Sequence, residues 1–200
     1  EAESETDFRF ESALQTVYDF GSGAGADKFA YGDQTDDWSD VDGTRRPVND
    51  QFTSADYLKI AASDATGGAS DPNRYVSYMG FLDFTKESTQ VFEFTIGEDR
   101  SEIIDIGVEW EGYGADCVGM ELYIWDYVAG QWCDGKGNCG RNQTLDNYAG
   151  NRDERFSGHI RSDFDRYIDG SGQMTLLVYA ERDYNSSYHD YISVTVIHDP

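Results

Sequence analysis

Carboxylate side chains are concentrated in one stretch of the chain that has the composition of a loop. Ca²⁺ prefers oxygen ligands supplied by flexible loops. Five aspartates between positions 33 and 43 could provide them: Asp33, Asp36, Asp37, Asp40 and Asp42. The stretch is not an EF-hand, because Trp38 takes the first ligand position when Gly43 is aligned with the invariant glycine of that motif. The pattern indicates a calcium site of another kind or, alternatively, a solvated acidic loop.

Several aromatic residues could form a platform that binds sugar. Flat rings with an apolar face pack against the C–H face of a pyranose. The candidate stacking residues are Trp38, Tyr113, Trp125, Tyr127 and Trp132. The same side chains could instead pack in the core or against a sheet, and the sequence leaves both interpretations open.

A catalytic constellation is much less well supported. Glu109 and Glu111 would lie on one face of a strand, about 7 Å apart, a separation compatible with an inverting glycosidase. Any acidic pair at this spacing on a strand has the same geometry. The three histidines are scattered, and no nucleophile-elbow motif accompanies them. We therefore expect a protein that is not an enzyme.

The cysteines suggest an oxidising compartment. Cys133 and Cys139 bracket a five-residue run with turn composition, and a disulfide across it would stabilise the fold by about 2 kcal/mol. Cys117 remains as a third cysteine. It could be a buried free thiol, form a disulfide with another chain, or form a disulfide with Cys133 or Cys139 in place of their mutual bond. Sequons at Asn142 and Asn185 allow glycosylation. Together with an amino terminus that lacks Met, these features predict an extracellular or cell-surface location.

The charge balance disfavours two classes of partner. The chain carries 39 Asp and Glu against 15 Lys and Arg, for a net charge of −24. Such a chain would repel the phosphates of nucleic acid. Anionic membranes are disfavoured for the same reason, and no apolar run reaches the ~18 residues needed to insert into a bilayer. A 14% aromatic content nevertheless predicts a folded core.

Period-two alternation of apolar residues dominates the remaining sequence and predicts strands. The clearest lie at residues 91–96, 103–111, 121–128, 173–180 and 191–197. The third of these has apolar or aromatic residues on both faces, and the fourth predicts a central strand buried on both sides. Residues 27–56 predict a long ordered loop, and residues 57–61 a short strand. This organisation predicts an all-β fold: a two-sheet antiparallel β-sandwich, jelly-roll-like, with long ordered loops.

Several segments, taken in order, resemble a known domain type. They are YDFGSGAGADKFAY at 18–31, VEWEGYG at 108–114, LYIWDY at 122–127, YIDGSG at 167–172 and HDYISV at 189–194. Together they resemble carbohydrate-binding-module-like β-sandwich domains of archaeal and bacterial cell-surface and secreted proteins. The resemblance covers residues 18 to 197 and implies no catalytic chemistry. It leaves residues 1–17 as an additional N-terminal segment before a sandwich domain at 18–200.

That N-terminal segment has an apolar side formed by Phe8, Phe10 and Leu14. It would either pair with its own sheet or add a strand to the sheet edge of a neighbouring copy. The second arrangement does not close and would build a filament. The leading hypothesis is a non-catalytic, calcium-stabilised structural subunit that assembles with copies of itself into a filament or surface layer. The alternative is a calcium-dependent domain that binds glycans.

Overall fold

A computed structural model describes residues 12–35, 50–63, 74–78, 87–115, 119–140, 143–148, 153–181 and 186–200. Within these ranges the chain forms two antiparallel sheets and two short helices, α1 (Ser54–Leu58) and α2 (Phe164–Tyr167). The first sheet contains β1 (Leu14–Asp19), β4 (Tyr75–Tyr78), β6 (Ile103–Ala115), β10 (Asp153–Ile160) and β12 (Ser186–His198). The second contains β2 (Lys28–Thr35), β3 (Asp50–Gln51), β5 (Glu87–Thr95), β7 (Gly119–Asp126), β8 (Gln131–Cys133), β9 (Asp146–Tyr148) and β11 (Gln173–Glu181).

The strand order places the longest strands in the middle of each sheet. The first sheet runs β1–β12–β6–β10, and β4 lies beside β1 on the same edge of β12. The second runs β3–β2–β5–β11–β7–β8, with β9 also paired to β7. The predicted two-sheet antiparallel sandwich is confirmed.

The core lies between the sheets and follows the alternation of the strands. Trp110 on β6 and Ile192 on β12 face Phe92 on β5 and Leu176 on β11, and all four are fully buried. Each large apolar side chain removed from water contributes roughly 1.5–3 kcal/mol. As predicted, β11 is buried on both faces, since it lies between β5 and β7 and its outer side is covered as well.

One expected alternation fails at the start of β6. The sequence predicts that Ile104 points inward, but Ile104 is 47% exposed and Ile103 is buried. The register explains the difference, because Ile197 lies opposite Asp105 while His198 lies opposite Ile103. Ile104 is therefore the extra residue of a β-bulge, and an extra residue reverses the direction of the side chains before it.

The predicted loop at 27–56 is wrong where that region is described, because β2, β3 and α1 lie in it, and residues 36–49 lie outside the described residues. The predicted strand at 57–61 is wrong, since α1 extends into it. Thr53 and Asp56 form a capping box, in which Asp56 N–H donates to Thr53 Oγ1 and Thr53 N–H donates to Asp56 Oδ2. This local signal favours a helix over the apolar alternation that follows, and it buries Tyr57 against Phe52.

The described part of the N-terminal segment pairs within its own sheet. β1 lies antiparallel to β12, with Leu14 opposite His198 and Asp19 opposite Ser193. Leu14 begins the strand and is 47% exposed. Phe8 and Phe10 lie outside the described residues. For residues 14–17 the structure therefore shows the intramolecular alternative.

A second set of contacts fastens β1 to the turn between β5 and β6. The Tyr18 hydroxyl donates to Glu98 Oε2 at 2.5 Å and accepts from Gly97 N–H at 2.8 Å. Burial raises the pKa of Tyr18 to about 12, and the bond to Glu98 adds to the effect. Burial alone would raise the pKa of Glu98, but hydrogen bonds from Thr16 and Tyr18 lower it below its ordinary value. We call these contacts the β1 clasp.

The predicted disulfide between Cys133 and Cys139 is present. It closes a loop in which Asp134 Oδ1 accepts from Lys136 N–H and Asn138 N–H. Cys117, Asn142 and Asn185 lie outside the described residues. Neither short helix of the described ranges has the length or apolarity to cross a bilayer.

Candidate functional site

The outward side of the first sheet carries a dense set of polar and aromatic side chains, which we call the open face. Its members alternate with the buried residues of the same strands and so point away from the core. They include Asp105, Gly107, Glu109, Glu111 and Tyr113 on β6, Arg155, Ser157 and His159 on β10, and Tyr188, Tyr191, Ser193, Thr195 and Ile197 on β12.

Three tyrosines gather at one end of the open face. Tyr188 lies opposite Tyr113, with ring centroids 5.8 Å apart in an edge-on arrangement, and Tyr191 lies opposite Glu111. All three rings are half-buried. Residues three apart in a regular strand point to opposite faces. Tyr188 and Tyr191 share a face because the register shifts between His189 and Tyr191, making Asp190 the extra residue of a bulge.

The bulge is anchored from below by an ion pair. Asp190 Oδ2 lies 3.9 Å from Arg74 Nη2, and both side chains are buried. A buried ion pair contributes little net stability, but removing one partner leaves an uncompensated charge and is costly. The pair therefore favours this local backbone arrangement.

A chain of hydrogen bonds beside the bulge links the two sheets. Trp110 Nε1–H donates to His189 Nδ1 at 3.1 Å, and His189 Nε2 lies 3.0 Å from Ser187 Oγ. Ser187 Oγ bonds to Ser88 Oγ of β5 at 2.7 Å, and Gln90 donates to Ser88. Burial, with a smaller effect from Arg74, lowers the pKa of His189 to about 3. The imidazole is thus neutral, and it fixes the strand that carries both tyrosines.

The middle of the open face is an ionic cluster. Arg155 Nε lies 3.2 Å from Glu109 Oε1, and the same guanidinium bonds to Glu111. The bond to Glu111 raises the pKa of Arg155. The predicted placement of Glu109 and Glu111 on one face of a strand is confirmed. Both carboxylates, however, pair with the same arginine, Arg155. They are arranged as charged hydrogen-bonding groups.

The other end of the open face is a shallow groove of about 220 Å³ over Gly107. Thr195 and His159 lie directly opposite Gly107 on the two neighbouring strands. Asp105 Oδ2 is 2.8 Å from His159 Nδ1, and its other oxygen is 3.4 Å from Arg161. The His159 side chain is 52% exposed, so the groove opens to solvent.

The predicted sugar-stacking residues separate into two groups. Tyr113 lies on the open face, whereas Trp125 and Trp132 are 7% and 0% exposed in a second apolar cluster on the outer side of the second sheet. Tyr127 packs against that cluster and bonds to Thr175. Trp38 lies outside the described residues. For Trp125 and Trp132 the structure therefore supports the packing interpretation.

The sequence did not predict Tyr188, Tyr191 and Arg155 as site residues. A bulge changes the direction of one tyrosine without any compositional signature, so a regular strand is the default expectation. Arg155 lies in a stretch with loose patterning, and only the register of β10 brings it beside Glu109 and Glu111.

The proposed calcium ligands are only partly described. Asp33 belongs to β2, where its backbone lies opposite Thr89, and not to a loop. Asp36, Asp37, Asp40 and Asp42 lie outside the described residues. Calcium binding by this stretch stays a prediction.

Another possible metal-binding group does not fit an ion. Ligand atoms of Asp126, Cys133 and Cys139 lie within 4.8 Å of one another. The two sulfurs are joined in the disulfide. Asp126 accepts hydrogen bonds from Arg166, Val128 N–H and Ala129 N–H, so its oxygens are already used.

Fold and site together define a two-sheet antiparallel β-sandwich with one exposed face rich in tyrosine and paired charges. The chain belongs to the AF_1625_C family, described as "Uncharacterized protein, C-terminal domain", whose model matches residues 25–198. No curated protein matches the chain.

Solved structures show distant likeness. The enzymatically active domain of bacteriophage CBA120 tailspike protein 4 is 6% identical with a TM-score of 0.38, over 92% of this chain and 19% of the tailspike chain. The CBM22-1 xylan-binding domain from Paenibacillus barcinonensis Xyn10C is 11% identical with a TM-score of 0.30, and the match covers 68% of this chain and 86% of that domain. CBM28, a carbohydrate-binding module specific for non-crystalline cellulose, is 10% identical with a TM-score of 0.26, and the match covers 66% of this chain and 74% of that module. This chain spans about a fifth of the tailspike chain.

Proposed function

We propose that this chain is a non-catalytic, exported domain that binds carbohydrate on the open face. The observation that supports this most strongly is the placement of Tyr113, Tyr188 and Tyr191 beside the Glu109–Arg155–Glu111 cluster on one exposed sheet face. Tyrosine rings offer apolar faces to pyranose C–H groups. Charged donors and acceptors make the stronger hydrogen bonds, and sugar hydroxyls satisfy both kinds.

The contacts within the Glu109–Arg155–Glu111 cluster favour a binding role over a catalytic one. Glycoside hydrolysis requires one carboxyl group that delivers a proton and a second that acts as base or nucleophile. Glu109 and Glu111 instead both pair with Arg155, whose Nε lies 3.2 Å from Glu109 Oε1 and whose guanidinium also bonds to Glu111. Held in this way, they serve as fixed acceptors for hydroxyl groups.

The charge and length of the face indicate the class of ligand. A protein of net charge −24 repels uronate and sulfated polymers, so the ligand is a neutral polysaccharide. From Tyr113 to Asp105 the open face extends along β6 for about 27 Å at the usual rise per residue. That length suits several consecutive units of a linear chain. The disulfide agrees with export to an oxidising compartment.

The test is affinity electrophoresis and isothermal titration against neutral soluble polysaccharides: xylan, mixed-linkage glucan and mannan, with a uronate polymer as negative ligand. Tyr191→Ala and Glu111→Gln should each weaken binding about tenfold, equivalent to 1.4 kcal/mol. Tyr31→Ala and Glu93→Gln change the same residue types on the second sheet and should leave affinity unchanged. Equal losses in both pairs of variants, or no binding of any neutral polysaccharide by the unmodified chain, would refute the proposal.

A further inference from the structure

We propose that the groove over Gly107 is a subsite that holds a single pyranose unit, at the end of the open face opposite the tyrosines. This inference rests on the proposed carbohydrate binding and specifies where one sugar unit is held. The groove volume of about 220 Å³ suits a small ring and not an extended chain. One sugar unit would enter it while neighbouring units lie over the ionic cluster and the tyrosines.

The walls of the groove offer the two kinds of contact that a pyranose needs. Thr195 and Ile197 on β12 supply methyl groups on one side. Ser157 and His159 on β10 supply polar atoms on the other, and Glu109 borders the groove toward the ionic cluster. A ring seated between them would place a C–H face against β12 and its hydroxyls toward β10.

His159 is oriented for this task by its neighbour. Asp105 Oδ2 lies 2.8 Å from His159 Nδ1, which directs that nitrogen's proton to the carboxylate and turns Nε2 away from Asp105. Among the described residues, no hydrogen bond engages Nε2. The geometry therefore assigns Nε2 to a sugar hydroxyl.

Gly107 itself provides an independent observation. It lies in β6, between β12 and β10, where glycine weakens a sheet because it adds backbone entropy and packs no side chain. Its φ is not among the positive values that favour glycine. A Cβ added there would come no closer than 3.5 Å to His159 Cε1, an ordinary contact. Neither the backbone conformation nor local crowding requires glycine, but an open groove does.

The test fills the groove without disturbing the fold. Gly107→Leu places an apolar side chain in the groove, and we expect it to lower affinity at least tenfold for the polysaccharide that the unmodified chain binds. Its unfolding temperature should equal or exceed that of the unmodified chain, because leucine favours a strand over glycine. Gly170→Leu is the matched control, since Gly170 is exposed, has no positive φ, and has nothing within 4 Å of its Cβ position.

Two smaller changes keep the test decisive if Gly107→Leu fails to fold. His159→Gln should weaken binding several-fold, and Gly107→Ala should bind nearly normally because a methyl group leaves most of the groove open. If the unmodified chain binds polysaccharide and both Gly107→Leu and His159→Gln bind equally well, the subsite is wrong while the proposed function stands. If the unmodified chain binds no neutral polysaccharide, the proposed function fails.

Discussion

The indole N–H of Trp110 donates to Nδ1 of His189 at 3.1 Å, in the centre of the sandwich. This bond requires an unprotonated Nδ1, so the tryptophan selects the neutral imidazole whose proton is on Nε2. That proton then bonds Ser187, and through Ser187 the contact reaches Ser88 on the opposite sheet.

Acid should therefore destabilise the fold through His189. Its folded pKa, about 3, is below the ordinary 6.5, so the unfolded chain binds more protons between these values. Stability is fully present above pH 6.5 and is lost as pH falls toward 3. Between pH 7 and pH 5 we expect this group alone to cost about 2 kcal/mol. Urea unfolding measured at both pH values tests the loss.

Two histidine variants separate the effect of His189 from that of the rest of the chain. His189→Gln should be less stable at pH 7, because the glutamine amide does not place an acceptor at the position where Nδ1 receives the Trp110 N–H, but its stability should fall less between pH 7 and pH 5. His159→Gln, which changes an exposed histidine, should retain the full fall. A His189→Gln protein with the same pH slope as the unmodified chain would rule out this role.

Loosening the β1 clasp should release the N-terminal strand. Tyr18→Phe removes a hydrogen bond to a charged carboxylate and should cost about 2 kcal/mol. Because the pKa of Tyr18 is raised from 10 to about 12, the unmodified chain should also lose stability over that pH range, and the variant should lose less. Amide exchange of residues 14–19 measures the release, with Tyr31→Phe as control. Unchanged exchange would contradict the clasp.

Asp126 should be important for docking α2 beside the disulfide loop. Its fully buried Oδ2 accepts from Arg166 Nε and Nη2 at 2.7 and 2.6 Å, and this contact raises the pKa of Arg166. Asp126→Asn should cost about 2 kcal/mol in urea unfolding. Asp165→Asn breaks an exposed pair with Arg100 and should cost at most about 1 kcal/mol. Equal losses of unfolding free energy in the two variants would show that the buried Asp126 contact stabilises the fold no more than the exposed one.

Calcium binding by the acidic stretch is a separate prediction. Titration of Ca²⁺ into chelator-treated protein should release or absorb heat and raise the unfolding temperature, since a ligand of the native state stabilises it. Asp37→Asn combined with Asp40→Asn should abolish both effects, while Asp99→Asn should preserve them. Absence of heat together with an unchanged unfolding temperature would end the calcium hypothesis.

Self-association through the N-terminal segment is also open to direct measurement. If Phe8 and Phe10 add to a neighbouring sheet, sedimentation velocity of the full chain should show oligomers that grow with concentration. A chain beginning at residue 12 should remain monomeric, because β1 is already paired with β12. Identical sedimentation of both chains would exclude assembly by this segment.

Strong periodicity made much of the fold predictable. The apolar run of β11 predicts its central position, and the alternation of β6 from Ile106 to Trp110 predicts its buried face. The spacing of Cys133 and Cys139 predicts their disulfide. Helix α1 was missed although Thr53 and Asp56 carry a capping signal, because the apolar pattern that follows suggests a strand.

The candidate site was less predictable, for two physical reasons. Apolar residues cover both faces of the second sheet, so aromatic type does not distinguish a buried Trp132 from a half-buried Tyr113. Strand register brings Arg155 to Glu111 from 44 residues away, and no local pattern specifies register across that distance.

The extra residue at Asp190 lets two tyrosines three positions apart point to the same side of the sheet. Deleting it would leave Tyr188, His189 and Tyr191 alternating regularly in their present directions, since the two tyrosines would then be two positions apart. The deletion would instead remove the carboxylate that pairs with the buried Arg74, which is costly. A single-codon deletion would thus preserve the recognition surface and weaken the packing beneath it, so related chains that lack this residue can still present both tyrosines.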